Sequence, residues 1–251
     1  MADRIPTLDA PPVPGWPGAV ARPSGEGAVV IEFSDRVDDG AAARVAMLTA
    51  LLDADPLSGQ REVVPTFRSV LIAFDPHETD NAGVLAALPP EPGRNANGCS
   101  NRAWRVPVCV DDGLAEDLCD LAAAVGLAPA EVRKRLLANP LRVGMYGFVP
   151  GAAYLTGLDP ALHTPRRQSP RPPVPAGSLI VAVGQAVLLP VSMPTGWYLV
   201  GRTAARMFDA EAQGPPVPFA VGDTLYLEAV GIDALEQLRN DPTGGLRAFD
   251  G

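Results

Sequence analysis

Between Met145 and Thr203, prolines that fix φ and glycines that free it recur at defined points, so this stretch is committed to particular loop shapes. It opens with Gly147-Phe148-Val149-Pro150-Gly151-Ala152-Ala153-Tyr154-Leu155 and passes through Thr164-Pro165-Arg166-Arg167-Gln168-Ser169-Pro170-Arg171 and Val174-Pro175-Ala176-Gly177-Ser178. It closes on Pro194-Thr195-Gly196-Trp197 and Gly201-Arg202-Thr203. Arginines set between such loops can read an anion or a carboxylate in fork geometry. Spacing alone is as compatible with a proline-stiffened surface whose arginines are solvated.

A chain of 251 residues can bury a proper core and suits one or two domains. With 47% hydrophobic and 20% charged residues it is an ordinary globular sequence. A net charge of -9 argues against nucleic acid and against anionic membrane surfaces as partners. Lys134 is the single lysine, so a Gly-Lys-Ser/Thr phosphate loop is excluded and no Schiff-base lysine falls in the shaped stretch. Cys99, Cys109 and Cys119 are too widely spaced for a metal knuckle and odd in number, which fits reduced thiols in a cytoplasmic protein. His77 and His163 show no metal-ligand spacing, so no metal is expected. No run reaches the ~18 apolar residues of a membrane span, and no secretory signal opens the chain.

The sequence divides by composition. Residues 1–19, with Pro11-Pro12-Val13-Pro14, read as a flexible leader. Ala28–Phe33 reads as a strand. Asp38 and Asp39 precede a helix over Ala41–Asp53, with Val45, Leu48 and Leu52 at helical spacing. Strands at Glu62–Val64 and Phe67–Phe74 follow, then a helix to Leu88 capped by Thr79 or Asp80. This order is most of a ferredoxin-like unit over residues 20–96, and the strand near Arg105–Val110 is a candidate to complete it. Pro89–Gly98 is the clearest linker. Helices are expected over Leu114–Val125 and from Pro129 toward Leu137, the second without a capping side chain at Ala128. From Val143, short strands between turns indicate a small barrel or sandwich across residues 97–231. The strongest are Ser178–Val183, Val187–Leu189, Trp197–Gly201 and Leu225–Ala229. Residues 232–251 read as a tail with one short helical pattern, Leu235–Leu238, and otherwise loosely held. The fold class is α+β.

Taken in order, the quoted segments resemble the family that unites the B-type subunit of 5-oxoprolinase, the first subunit of allophanate hydrolase and the sporulation-kinase inhibitor. That family's pattern runs roughly G-F-x-P-G-F-x-Y-L, T-P-R-x-x-x-P-R, V-P-A-G-S, P-G-G-W and G-R-T, and the likeness covers most of the chain. The resemblance implies a cyclophilin-like β-barrel for the second domain. It also implies work with a larger C-type partner and, together with an A-type partner, ATP-dependent opening of pyroglutamate to glutamate. No cofactor is expected on this chain alone; ATP would come into play with the C-type partner.

Carried over by position, the site candidates are Pro150, Gly151, Tyr154, Arg166, Arg171, Gly177, Ser178, Gln185, Pro194, Gly196, Trp197 and Arg202, joined by Leu136 and Leu189 as pocket walls. Arg166 and Arg171 would bind an anionic group, Tyr154 and Gln185 would orient a polar substrate, and Trp197 would form an apolar wall. Tyr154 and Trp197 are equally at home in a barrel core, and for Gly151 and Gly177 turn geometry is the favoured reading. Leu136 stands where the family carries a histidine, the usual proton carrier near neutral pH. Ala152, Ala153, Ala186, Leu189 and Thr195 also depart from the pattern, mostly toward smaller or less polar groups, which suggests a wider, greasier pocket. Three functions are compatible with this. One is a B-type subunit active only with its partner; another is a stand-alone cyclase holding a larger apolar intermediate in a reactive conformer. The third is a non-catalytic inhibitor of a histidine kinase.

Overall fold

A computed structural model describes residues 10–36, 38–92 and 102–249, so part of the linker and Cys99 lie outside the described residues. The chain forms two compact units, Met1–Cys99 and Ser100–Gly251. In the first, β1 (Val20–Pro23), β2 (Ala28–Glu32), α1 (Asp39–Ala54), β3 (Gln60–Pro65), β4 (Ser69–Phe74) and α2 (Asn81–Ala87) follow in order. The antiparallel sheet runs β1-β2-β4-β3. Alternation along β2 and β4 buries Val29, Ile31, Val70, Ile72 and Phe74. Onto them pack Val45, Leu48 and Leu52 from α1, which begins where Asp38 accepts the Ala41 N–H at 2.8 Å. Asp80 caps α2 in the same way through Gly83.

Two expectations are corrected here. The fourth strand of this sheet is β1, beside β2, and the strand near Arg105–Val110 belongs to the other unit. The described part of the leader is also packed: Trp16 is 1% exposed, donates its indole N–H to the Pro89 carbonyl at 2.8 Å and lies against Phe33. Apolar burial and a satisfied indole outweigh the flexibility that the prolines suggested.

The second unit holds β5 (Ala103–Val108), α3 (Leu118–Val125), α4 (Pro129–Ala138), β6 (Leu141–Tyr146), β7 (Ala153–Thr156) and a short 3-10 turn (Pro160–Leu162). Next come β8 (Arg171–Val174), β9 (Ser178–Ala182), β10 (Gln185–Leu188), β11 (Met193–Thr195), β12 (Tyr198–Arg202), β13 (Thr224–Ala229), α5 (Ile232–Leu238) and β14 (Arg247–Phe249). An eight-stranded sheet runs β12-β9-β10-β7-β6-β13-β5-β14, parallel only between β13 and β5, while β8 and β11 make a separate pair. The expected helix from Leu114 starts later, at Leu118, because Asp111 and Ala115 first close turns. Pro129 opens α4 with no side-chain cap at Ala128. The tail is not loose. Leu235 of α5 is fully buried, and β14 pairs with β5 through Ala248 and Trp104.

One core fills the concavity of this sheet, built from α3, α4 and the inward residues of β5, β6, β7, β9, β10, β12 and β13. The end of β5 returns to β12 at a single bridge, where Cys109 and Arg202 exchange backbone hydrogen bonds of 2.7 and 2.9 Å. A continuous ladder closing the ring is not found among the described residues. Two motifs owe their glycines to this packing. A side chain on Gly177 (φ 78) would sit 2.2 Å from the Thr203 carbonyl oxygen, and one on Gly201 would sit 3.0 Å from that of Cys109. The Val-Pro-Ala-Gly-Ser and Gly-Arg-Thr segments are thus fitted to each other and to β5.

Candidate functional site

β9 is buried along its whole length because both of its faces are covered. Leu179 and Val181 face the main core, whereas Ile180 and Ala182 join Ala152, Val174, Val187, Leu189, Trp197 and Leu199 in a second apolar cluster. Over this second face opens a cavity of about 340 Å³. Its floor is Ile180, Val187 and Leu189, with Ala152 just ahead of β7 and Tyr154 within it. Met193, Pro194, Thr195, Gly196 and Trp197 form one side; Arg166, Arg167, Gln168 and Pro170 form another, and Phe148 stands on the rim. Its volume lies within the range of small-molecule sites.

The rings of Tyr154 and Trp197 meet edge to face, with centroids 6.1 Å apart. The Arg166 guanidinium lies 5.9 Å from the centre of the Trp197 ring, within cation–π range. Arg166 is exposed, and among the described residues no carboxylate lies within ion-pair distance of it. Burial pushes the Tyr154 hydroxyl above its usual range, opposed by the charge of Arg166, so it remains a protonated donor near neutral pH. The Thr195 hydroxyl accepts the backbone N–H of Trp197 at 3.1 Å and fixes the turn that presents the indole.

Arg171 and Arg202, expected in the same site, are held elsewhere. Arg171 pairs with Asp117 at 2.6 Å and with Glu116, and Arg202 pairs with Glu116 at 3.1 Å. The hydrogen bond from Arg171 to Asp117 is the main cause of its raised pKa. Arg167, which does line the cavity, spends its charge on Asp117 and Asp120 at 3.0 and 2.9 Å. Asp117, 4% exposed, also accepts the Leu199 N–H at 2.8 Å. These arginines tie loops to the segment before α3.

Of the other candidates, Leu136 is corrected outright. It lies on α4 in the main core, 1% exposed, away from the cavity. A position with helical inward phase can only face the core that its helix covers. Ser178 is fully buried and donates to the Pro175 carbonyl at 2.7 Å, shaping a turn. Gly151 (φ 83) packs its backbone on Met207 and Phe208, where a side chain would come within 2.7 Å of the Met207 oxygen. Pro150 sits beside it in the same turn, and neither lines the cavity. Gln185 begins β10, two positions before Val187, and does not line it either. Tyr154, Arg166, Leu189, Pro194, Gly196 and Trp197 do converge there. The alternation of β9 and β10 could have supplied Ile180 and Val187. Ala152 and Thr195, noted in the sequence as departures, both face the cavity, whereas Ala153 and Ala186 belong to the main core.

The polar groups around the cavity are two guanidiniums, a phenol, an amide and a hydroxyl. The lining holds no carboxylate, histidine, cysteine or lysine. Among the described residues no cluster of His, Cys, Asp and Glu could hold a metal ion. This arrangement can bind and orient a ligand; its lining contains no conventional acid/base pair and no activated nucleophile.

A two-unit chain whose second unit folds a curved sheet over helices and opens a cavity on the outer face belongs to the carboxyltransferase domain family, subdomains C and D, whose model matches residues 19–219. The family expected from the motifs is the family found. The 5-oxoprolinase B subunit of Bacillus subtilis (strain 168) is 29% identical over 216 residues, covering 79% of this chain and 88% of that protein. The corresponding 5-oxoprolinase protein of Haemophilus influenzae is 37% identical over 132 residues, 53% of this chain and 62% of its own length. The crystal structure of TTHA0988 superimposes with a TM-score of 0.71 at 28% identity, covering 82% of this chain and 40% of that one. The Kluyveromyces lactis urea amidolyase shares the fold at 18% identity, with a TM-score of 0.75, over 96% of this chain and 17% of its own length.

Proposed function

We propose that this chain is the B-type subunit of an ATP-dependent, 5-oxoprolinase-like hydrolase, opening a lactam or amide together with C-type and A-type partners. The observation that carries the reading is the cavity's chemistry: it has groups to orient a small carboxylic acid and lacks groups to move protons. Arg166 pairs with the substrate carboxylate, Tyr154 donates a hydrogen bond to a carbonyl oxygen, and Trp197 forms the wall. A catalytic base and the phosphoryl chemistry then come from a partner. ATP does not fit the cavity itself, because a triphosphate needs several converging cationic or N–H donors and only Arg166 lacks a carboxylate partner there among the described residues. The reading belongs with a cytoplasmic protein. Among the described residues no helix is long and apolar enough to cross a membrane.

The finer fold readings belong to the same proposal. The position of β1 beside β2 supports a ferredoxin-like first domain whose last strand comes from the N-terminal side. The Cys109–Arg202 bridge supports a cyclophilin-like barrel for the second. Co-expression with a C-type partner, followed by mass measurement in solution, tests the function. The expected result is a stable hetero-complex that, once the A-type partner is added, cleaves ATP only when pyroglutamate is present. A monomer or homodimer that ignores the partner would defeat it and favour the stand-alone reading, for which the apolar floor of the cavity is the supporting observation.

A further inference from the structure

The turn between β6 and β7 contains a conformation that ordinary loop closure does not require. Phe148 has φ 70, and the Val149 N–H donates to the Gly147 carbonyl at 2.9 Å, closing a γ-turn of the positive-φ kind, which is rare and strained. Glycine would accept this backbone without strain, yet the residue is an aromatic. The residue is 79% exposed, so little burial offsets the conformation. The surroundings enforce it. The Gly147 N–H donates to Ala152 at 3.3 Å, the Ala152 N–H donates to Val149 at 3.1 Å, and Gly151 is seated on the Met207–Phe208 backbone. Strain maintained in this way gathers at ligand clamps and switch points. The exposed ring lines the mouth of the cavity, whose other walls include Trp197 and the floor residues Val187 and Leu189.

Charge narrows the occupant. Arg167 is already matched by Asp117 and Asp120, which leaves Arg166 as the one guanidinium of the lining without a carboxylate among the described residues. One unmatched cation calls for one negative charge, and an apolar floor calls for an apolar body. We infer that Phe148 and Trp197 clamp the apolar body of a small monocarboxylate whose carboxylate pairs with Arg166, making Phe148 a specificity residue of the site. This rests on the proposed function, of whose lactam-acid substrate it is a refinement. The preferred member of the class carries more apolar surface than pyroglutamate itself.

The test is calorimetric titration of the full chain with pyroglutamate, hexanoate and benzoate, with benzamide as the uncharged control. The wild-type chain is expected to bind hexanoate and benzoate more tightly than pyroglutamate and to ignore benzamide. Phe148→Gly should weaken the two apolar acids at least tenfold while leaving the melting temperature unchanged or higher. Phe148→Leu should recover part of the loss, and Arg166→Gln should remove the preference for acid over amide. Binding by Phe148→Gly equal to wild type, or no binding by any acid of the series, overturns the inference. Turnover in the reconstituted complex is measured in parallel. Wild-type complex that never turns over a lactam defeats the proposed function and leaves the clamp standing on its binding data. Normal binding and turnover with Phe148→Gly defeats the clamp alone.

Discussion

Arg166 and Arg171 stand five residues apart, in the same proline-shaped segment. One faces a cavity with no carboxylate in its lining; the other closes a fork on Asp117 and Glu116. Loop shape set the position of each guanidinium but not its work. That was decided by which carboxylates the segment before α3 and its first turn deliver, and those reach Arg171, Arg202 and Arg167 while missing Arg166. A paired guanidinium holds loops together, and an unmatched one beside an indole is available to a ligand.

The sharpest way to break this comparison is to remove the buried carboxylate. Asp117→Ala would leave Arg171 with Glu116 alone and Arg167 with Asp120 alone, and would take the acceptor from the Leu199 N–H. A loss of about 1–3 kcal/mol is expected in denaturant unfolding, chiefly because a buried N–H is left without its acceptor while each arginine keeps one carboxylate. A smaller loss is expected for Asp117→Asn, whose amide oxygen still accepts from Leu199. If Asp117→Ala costs less than about 1 kcal/mol, the network is ornamental and the two kinds of arginine do not differ in the way described.

Arg166→Gln probes the other side. Stability should move by no more than about 0.5 kcal/mol, because the side chain is exposed and has no ion-pair partner among the described residues. The KM of the reconstituted complex for a carboxylate-bearing lactam should rise by roughly 10- to 100-fold, the equivalent of one charge-assisted hydrogen bond. A large drop in melting temperature with unchanged KM would instead make Arg166 structural.

Much of the scaffold was legible in the sequence. Asp38 ahead of Val45, Leu48 and Leu52 fixed α1, Pro129 fixed the start of α4, an apolar β-branched run fixed β2, and alternation fixed β4. What escaped were the short edges. β1 and β14 have four and three residues, carry little periodicity, and exist because a neighbouring strand offers its open side. At the site, the convergence of Tyr154, Arg166, Leu189, Pro194 and Trp197 on one cavity followed from the motif positions. The fates of Arg171 and Arg202 did not, because their partner Glu116 lies 55 and 86 residues earlier in the chain. Leu136 was misplaced for a different reason: the motif match set its position in the chain, and the turn of α4 directs it into the main core.

Glu32 in the first unit extends the comparison to a less buried carboxylate gripped by arginines. It pairs with Arg22 at 2.7 Å and with Arg68, the strands β2 and β4 running side by side beneath. Burial works against its ionisation, but hydrogen bonds from Arg22 and Arg68 outweigh this and hold the pKa below the ordinary 4.5. A group whose folded pKa is depressed stabilises the fold fully above its unfolded value, and that contribution is lost as pH falls through the folded value. Glu32→Gln should therefore cost about 1 kcal/mol near pH 7 in a urea titration, less than Asp117→Ala because both arginines are partly solvated. The gap between variant and wild type should close as pH is lowered from about 5 toward about 2, where both chains carry a neutral side chain at this position. A gap that persists in acid would mean that shape and hydrogen bonding, rather than charge, hold Arg22 and Arg68 to Glu32, and the ordering of carboxylates by burial would lose its lower end.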